Sequence, residues 1–430
     1  MPRLSRRDSI SDIVRRMLVI GLFLAAVRHG GAADTRIALT PELISRWIAD
    51  LGSDSRAVRS AAEAALIAQG SAVIEMLPGE SNLDPSIRES LDRIIRTIEQ
   101  TETASALLPR QVQLPGRSLV ECRDAIWKET GNRVGLPENR LPDLTQSPPQ
   151  EPMSFWQSID WIEAHSGNQY RGKSISTGPS ESGSPVPVHL QGPFRVQLLD
   201  HSIRRSPDGR RLLGIKLRIE SEPRLRPLFL MAAVDGWQAT LGEQVLLPFT
   251  PGARRELSAD RTGETEVSYD FLIPDQTVSG KLSLKGEVDQ TLSARTVQVT
   301  FSDLQAHLPL VRRRGQVSLS LLSIRMQDQQ TWTRLALAFP ESRGLFESYR
   351  SSLLSPELSL IRQDGSIIKA LETSQIQEDP DGNILEVRFG TANLRNTRLT
   401  AQIPTAISTQ TVRFAFSDIT QEDLPDRQPD

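Results

Sequence analysis

The chain has 430 residues and a mass of 47.7 kDa, too many for one small domain and enough for roughly three or four. Fifty basic residues against 53 acidic ones leave a formal charge of −3, which excludes the net basic field that gathers nucleic acid. A single cysteine, Cys122, excludes an intrachain disulfide and any cysteine-built zinc or iron–sulfur site. A hydrophobic share of 38% with mean hydropathy −0.31 is compatible with packed cores, and 24% charged residues argue against wholesale disorder.

The N-terminus carries Arg3, Arg6, Arg7, Arg15 and Arg16, then the apolar run Met17–Val27, then the small residues Gly30, Gly31, Ala32 and Ala33. Positive, apolar, small is the order of a secretory signal, with Ala33 last before cleavage. Eleven apolar residues at ~1.5 Å each span about half of a ~30 Å hydrocarbon core, too little for a membrane helix. Arg28 and His29 interrupt the approach to the small residues, so retention as an uncleaved anchor stays open. Arg6-Arg7 after Ser5 resembles a twin-arginine signal, but Asp12, Arg15 and Arg16 precede the apolar run, and an ordinary basic region fits better. Residues 1–33 hold six basic and two acidic side chains, so the remainder carries 44 against 51, a charge of −7.

Residues 38–102 read as helices. Thr40-Pro41 is a cap followed by proline at the first helical position, and Leu43, Ile44, Trp47, Ile48 and Leu51 follow at helical spacing. Gly52 stops that helix, Ser53 or Asp54 caps a second through Leu66, and Asp84-Pro85 opens a third bearing Ile87, Leu91, Ile94, Ile95 and Ile98. The run of residues 49–66, "ADLGSDSRAVRSAAEAAL", resembles a HEAT-type helical repeat, of which about one and a half copies are present. The resemblance implies a small module that covers its open face on neighbouring structure; plain packing outweighs a binding surface.

Over 109–175 strand and helix alternate, and an internal repeat appears. Ser118 through Gly131-Asn132 aligns with Ser154 through Gly167-Asn168 at a shift of 36. Each half is expected to be a helix ended by a left-handed glycine cap and followed by a short strand, 133–136 or 169–171. "VQLPGRSLVECRDAIWKETGNRVGL" resembles the short N-terminal module of secretins and TonB-dependent receptors, assigned to 109–173; the proline-rich stretch 141–152 replaces the family's hairpin. The resemblance implies a helix packed on a small sheet, in the periplasm, touching partner proteins. Trp127, Trp156 and Trp161 are expected in the core of these helices, as is Cys122.

Residues 174–187 read as a Gly/Pro/Ser linker, and beyond them nearly everything is β. Alternation marks 193–199, 213–219 and 267–273, and Asp208-Gly209, Asp364-Gly365 and Asp381-Gly382 mark turns. Residues 284–304 align without a gap on 399–419 at a shift of 115, pairing Leu284 with Leu399 and Phe301-Ser302-Asp303 with Phe416-Ser417-Asp418. Two tandem β-sandwiches of immunoglobulin-like size follow, 188–309 and 312–426, with Phe301 and Phe416 at equivalent buried positions. The fold class is therefore multidomain α+β.

Chemistry is sparse. No Gly-x-Ser-x-Gly, Walker, His-Glu-x-x-His or Gly-x-Gly-x-x-Gly motif occurs, and His165, His189, His201 and His307 lie on separate segments. Asp303 and Asp418 read as equivalent ligands for calcium or a sugar, or as local caps of strand ends; the cap is preferred because no carboxylate cluster accompanies either. Asp379 and Asp381 in "EDPDGN" miss the ligand spacing of an EF-hand and form a turn. Arg312-Arg313-Arg314 reads as a solvated linker rather than a polyanion site. No catalytic, cofactor or metal residue is assigned, and no nucleic-acid partner is expected. The reading is an exported, non-catalytic modular protein, periplasmic or secreted, that contacts other envelope proteins. Two alternatives stay open: carbohydrate or matrix binding by the sandwiches, whose only tryptophans are Trp237 and Trp332, and a hydrolase with an unrecognised carboxylate site.

Overall fold

The computed structural model describes residues 39–419 except 75, 78–82, 137–142, 178–185, 260–262, 275–279, 305–306, 315–316, 340–355 and 380–381. The signal expected at 1–33 and the Pro380-Asp381 part of the "EDPDGN" turn lie outside the described residues. Among the described residues no helix is long and apolar enough to cross a membrane.

The chain forms two compact units that divide between Pro78 and Gly79. The first contains α1 (Pro41–Leu51), α2 (Arg56–Ala68) and α3 (Ser71–Ile74). Thr40 caps α1 by accepting from the Leu43 amide at 3.3 Å, and Gly52 ends it, both as the residue order dictates. The cap of α2 is Ser55, one residue beyond the expected pair, and Ser53 Oγ accepts from the Ser55 amide instead. Ile44, Ile48, Leu51, Ala62, Leu66 and Val73 are the buried stripe.

The third expected helix, α4 (Pro85–Ala106), falls in the second unit. Its 22 residues span about 33 Å at ~1.5 Å each, and its C-terminal end reaches the β half of the chain. There Glu102 Oε2 lies 2.8 Å from Arg295 Nη1, and Ala106 and Leu107 pack on a β core.

An α/β module follows: β1 (Gln111–Val112), α5 (Leu119–Thr130), β2 (Met153–Ser154), α6 (Phe155–Ser166), β3 (Asn168–Arg171) and β4 (Ser174–Thr177). β1 pairs with β2 and β3 with β4, both antiparallel. The repeat of this module is visible bond by bond. Ser118 and Ser154 both cap, Gly131 and Gly167 are both left-handed at φ 77° and 66°, and Thr130 Oγ1 and Ser166 Oγ each accept from the asparagine amide two residues on. Three expectations need correction. The strand at 133–136 is reduced to a single parallel bridge, Gly135 to Ser174. The first four linker residues are strand β4. Trp127 is 53% exposed rather than in the core, because the inward stripe of α5 is Leu119, Cys122, Ile126 and Thr130, and Trp127 sits about 100° round from Ile126 with Arg133 stacked on its ring.

The β half comprises β5 (Val188–Gln191), β6 (Phe194–Asp200), β7 (Ile203–Arg205), β8 (Arg211–Ser221), β9 (Arg226–Ala233), β10 (Trp237–Leu241), β11 (Gln244–Pro248), β12 (Arg254–Ser258), β13 (Glu264–Ile273) and β14 (Leu282–Phe301). It continues with β15 (Leu310–Arg314), β16 (Val317–Gln327), β17 (Gln330–Ala338), β18 (Glu357–Arg362), β19 (Ile367–Asp379), β20 (Gly382–Phe389) and β21 (Thr397–Ile419). Among the described residues every pairing in this half is antiparallel, and the strands form one connected network around two cores. In the first body the layer β5–β6–β8–β13–β11 faces β12–β9–β14–β10. In the second, β15–β16–β17–β20–β19 faces β18–β21 and the end of β14.

The two bodies are not separate along the boundary expected at 309–312. Strands β14 and β21 hold 20 and 23 residues, about twice the usual upper length for a sandwich strand, so each must run out of its own body. They pair from Leu282/Ile419 to Phe301/Leu399. Leu284 faces Phe416 and Phe301 faces Leu399, so the repeat carries one pair onto the other. Leu284, Val288, Leu292, Val412, Phe414 and Phe416 enter the first core, while Val299, Phe301, Leu399, Ala401 and Ile403 enter the second. The change from even to odd numbers along each strand puts the two cores on opposite faces of the ribbon, since side chains alternate with period two. At the change, 290–293 and 403–406 are buried residue after residue, as strands covered on both faces are. Both phenylalanines are buried as expected, but each lies in the core of the other copy's body.

Phe301→Ala and Phe416→Ala should each cost about 3–5 kcal/mol in denaturant unfolding, the usual loss for a buried aromatic. Because the ribbon serves both cores, calorimetry should show the β half unfolding in one transition, and either substitution should lower that same transition.

Candidate functional site

The densest set of ionisable groups lies where the α/β module covers the first β body. Strand β6 reads Phe194-Arg-Val-Gln-Leu198, with Phe194, Val196 and Leu198 turned into the core, so alternation points Arg195 outward. Its register partners continue the row: Arg195 is opposite Glu220 on β8, and Glu220 is opposite Glu264 on β13. Helix α6 and strand β3 lie over this row, and Arg195 is only 3% exposed. Its Nη2 is 2.7 Å from Asp160 and 2.9 Å from Glu163, both on α6, and Nη1 is 3.5 Å from Glu220. The guanidinium also stacks 5.5 Å from the Trp156 ring, whose Nε1 donates to the Pro193 carbonyl at 2.9 Å.

Main-chain groups complete the seam. The Tyr170 amide donates to Glu163 at 2.7 Å and the Gly172 amide to Glu264 at 2.8 Å. Beside them, fully buried Glu222 accepts from Asn132 Nδ2 at 2.9 Å and from Arg224 Nε at 2.5 Å. Arg224 also donates to the carbonyls of Ala106 and Leu108, which ties the end of α4 to the same seam.

Low solvation sets the electrostatics. Burial pushes the Glu220 carboxyl up to about 7 against the pull of Arg195 and Arg218, with Glu264 and Glu163 adding to the rise. Burial likewise raises Asp160, partly offset by Arg195. The Tyr170 phenol is raised by burial and by the carboxylates around it. Burial works against the Arg195 charge, but Asp160, Glu220 and Glu163 outweigh it and its pKa is raised. Arg195 Nε and Glu220 Oε2 have no hydrogen-bond partner among the described residues. A buried acid near neutrality beside an arginine has the form of an acid–base centre, and equally that of an interdomain clamp.

The residues singled out from sequence are scattered. Asp418 has φ 58° and pairs with Lys281 at 3.3 Å, so it is an exposed ion-pair member near the end of β21, and the amides it was expected to cap, from 420 on, lie outside the described residues. Asp303 follows the end of β14. His165 stacks on Trp161 at 4.3 Å, and His189 sits edge-on to Phe416. Trp237 is buried against Tyr269 and Phe414, and Trp332 is half-buried under Arg388, so they form no paired platform. Arg312 and Arg313 stand on β15 rather than in a linker, and among the described residues β15 pairs with β16 alone, so its charge discourages pairing with another chain. Among the described residues no group of three or more His, Cys, Asp and Glu side chains is placed to hold a metal. The seam itself was not legible, because Arg195, Glu220 and Glu264 occupy solvent-facing positions of alternating strands. The one available signal was charge at three successive register positions.

No protein-family model matches this chain, and no curated protein matches it. Among solved structures it is similar to the crystal structure of a conserved domain protein from Bacillus anthracis, at 10% identity, over 54% of this chain and 90% of that one, with a TM-score of 0.19. A likeness at that score carries no argument.

Arg195→Met should cost about 3–5 kcal/mol in chemical unfolding, because it strands buried carboxylates, and adding Glu220→Leu should recover part of the loss. Cys122 is buried, its Sγ donates to the Gly116 carbonyl at 3.2 Å, and burial pushes the thiol up to about 11. It should stay unmodified by an aromatic disulfide reagent at pH 8 in the native protein and react at once in denaturant.

Proposed function

We propose that the chain is an exported, non-catalytic scaffold of the bacterial envelope, which holds a HEAT-like helical module, a secretin-short-domain-like α/β module and two immunoglobulin-like bodies for protein–protein contact. The observation that carries this reading is the shared ribbon of β14 and β21. Two bodies that interlock through full-length strands resist the relative motion that a linker would allow, which suits a spacer or docking frame. The basic, apolar, small order of residues 1–33 supports export. At the seam Asp160, Glu163 and Glu264 are engaged by Arg195 and by module amides, which favours a clamp over a catalytic cleft.

A photoreactive amino acid at position 127, on the exposed face of α5, tests this in intact cells of a bacterial host. The scaffold reading expects the protein in the envelope fraction and a discrete adduct with an envelope protein, absent when the same group is placed at buried position 237. Recovery of the full-length protein from the cytosol alone would overturn it. So would a hydrolytic activity that Glu220→Gln abolishes while the fold stays intact.

A further inference from the structure

We propose that the α/β module and the first β body are joined by a proton-operated latch, in which Glu220 carries a proton while the seam is closed and gives it up as the seam opens. This goes beyond the scaffold reading and does not depend on it.

The geometry carries the inference. Glu220 and Glu264 are directly opposite each other in the β8–β13 ladder, a like-charge pair that destabilises a sheet when both members are ionised. Water cannot relieve it, since Glu220 is 4% exposed beneath the module. The groups facing it come from every neighbouring element. They are Asp160 and Glu163 on α6, the Tyr170 phenol on β3, Arg195 on β6, Lys216 and Arg218 on β8, and Glu264 and Glu266 on β13, with the Lys173 stem nearby at Gly263. Arg218 is drawn away to Glu266 at 2.7 Å and Glu264 at 3.7 Å. Arg195 is divided among Asp160, Glu163 and Glu220, and Glu220 is the farthest of the three. Carboxylates therefore outnumber cations among these groups, and a proton on one acid lessens the excess of negative charge. The acid with an oxygen lacking any hydrogen bond and with an acid directly opposite is Glu220.

The sign follows. Closing raises the Glu220 carboxyl from its ordinary 4.5 to about 7, so the closed seam is favoured fully below 4.5 and loses that support as pH rises to about 7. Between those values the opening constant should rise up to about tenfold per pH unit, then level off. An acid environment shuts the latch and an alkaline one loosens it.

Hydrogen exchange by mass spectrometry on peptides covering 155–177, from pH 5 to 8.5 and corrected for intrinsic rates, measures the opening. The full chain should show the rise and the plateau near pH 7, and Glu220→Gln, which mimics the protonated acid, should flatten the profile in the protected state. A flat profile in the parent protein, or an unchanged slope in E220Q, would overturn the proposal. Should E220Q fail to fold, carbon-13 NMR of the glutamate carboxyls in the parent protein decides: one group titrating near 7 supports the latch, and all groups titrating below about 5.5 refute it.

Discussion

Everything in the β half depends on one pairing, the antiparallel ribbon of β14 and β21. A strand can present only two faces, and each of these strands gives one face to each core: even positions to the first and odd positions to the second, apart from Ile419 beyond the register shift between Leu282 and Leu284. A slip of one residue would therefore expose both cores together, which makes the register unusually well specified. Polar contacts mark the place where the faces change over. Ser293 Oγ lies 2.7 Å from the carbonyls of both Thr405 and Arg295, so its one proton serves either of them, and Thr291 and Thr409 share a hydroxyl bond at 2.8 Å. Backbone that would otherwise be stranded between two apolar masses is satisfied there.

The same logic of covered faces explains the seam. A β layer with one face on a core normally gives its other face to water, and charges on that face cost nothing. Here α6 and β3 close over that outer face, and a row of ordinary surface charges becomes a buried network. The network is held by a guanidinium that is more easily desolvated than an ammonium and that binds two carboxylates of α6 at once. Asn132 does the corresponding work one element away, since from the module its Nδ2 donates to Glu222 and its Oδ1 accepts from the Arg224 amide of the β body. Polar interlocking of this kind fixes orientation more than it stabilises, because each buried charge brings a desolvation penalty that its partner largely offsets.

Gly286 shows how tight the ribbon is. A Cβ there would lie 2.8 Å from the Phe414 ring and 3.1 Å from the Gly236 carbonyl, so only glycine lets β10 and β21 flank β14 at that point. It falls inside the aligned repeat, where its counterpart is Ala401, so the two copies have diverged where the packing of their neighbours differs.

Local order was legible in the residues themselves. Thr40-Pro41, Asp84-Pro85, Ser118 with Gly131 and Ser154 with Gly167 set helix ends by bonds made within a few residues, and the folded chain keeps them. The repeats were legible for the same reason, since alternation and aligned apolar positions survive in one dimension. What the linear order does not contain is which face ends up covered. Trp127 is exposed and Arg195 buried, the reverse of what their types suggest, because coverage was decided by elements distant in the chain. The exchange of strand ends between the bodies and the raised carboxyl of Glu220 in the seam belong to the tertiary structure alone: both arise only when two remote segments meet and exclude water between them.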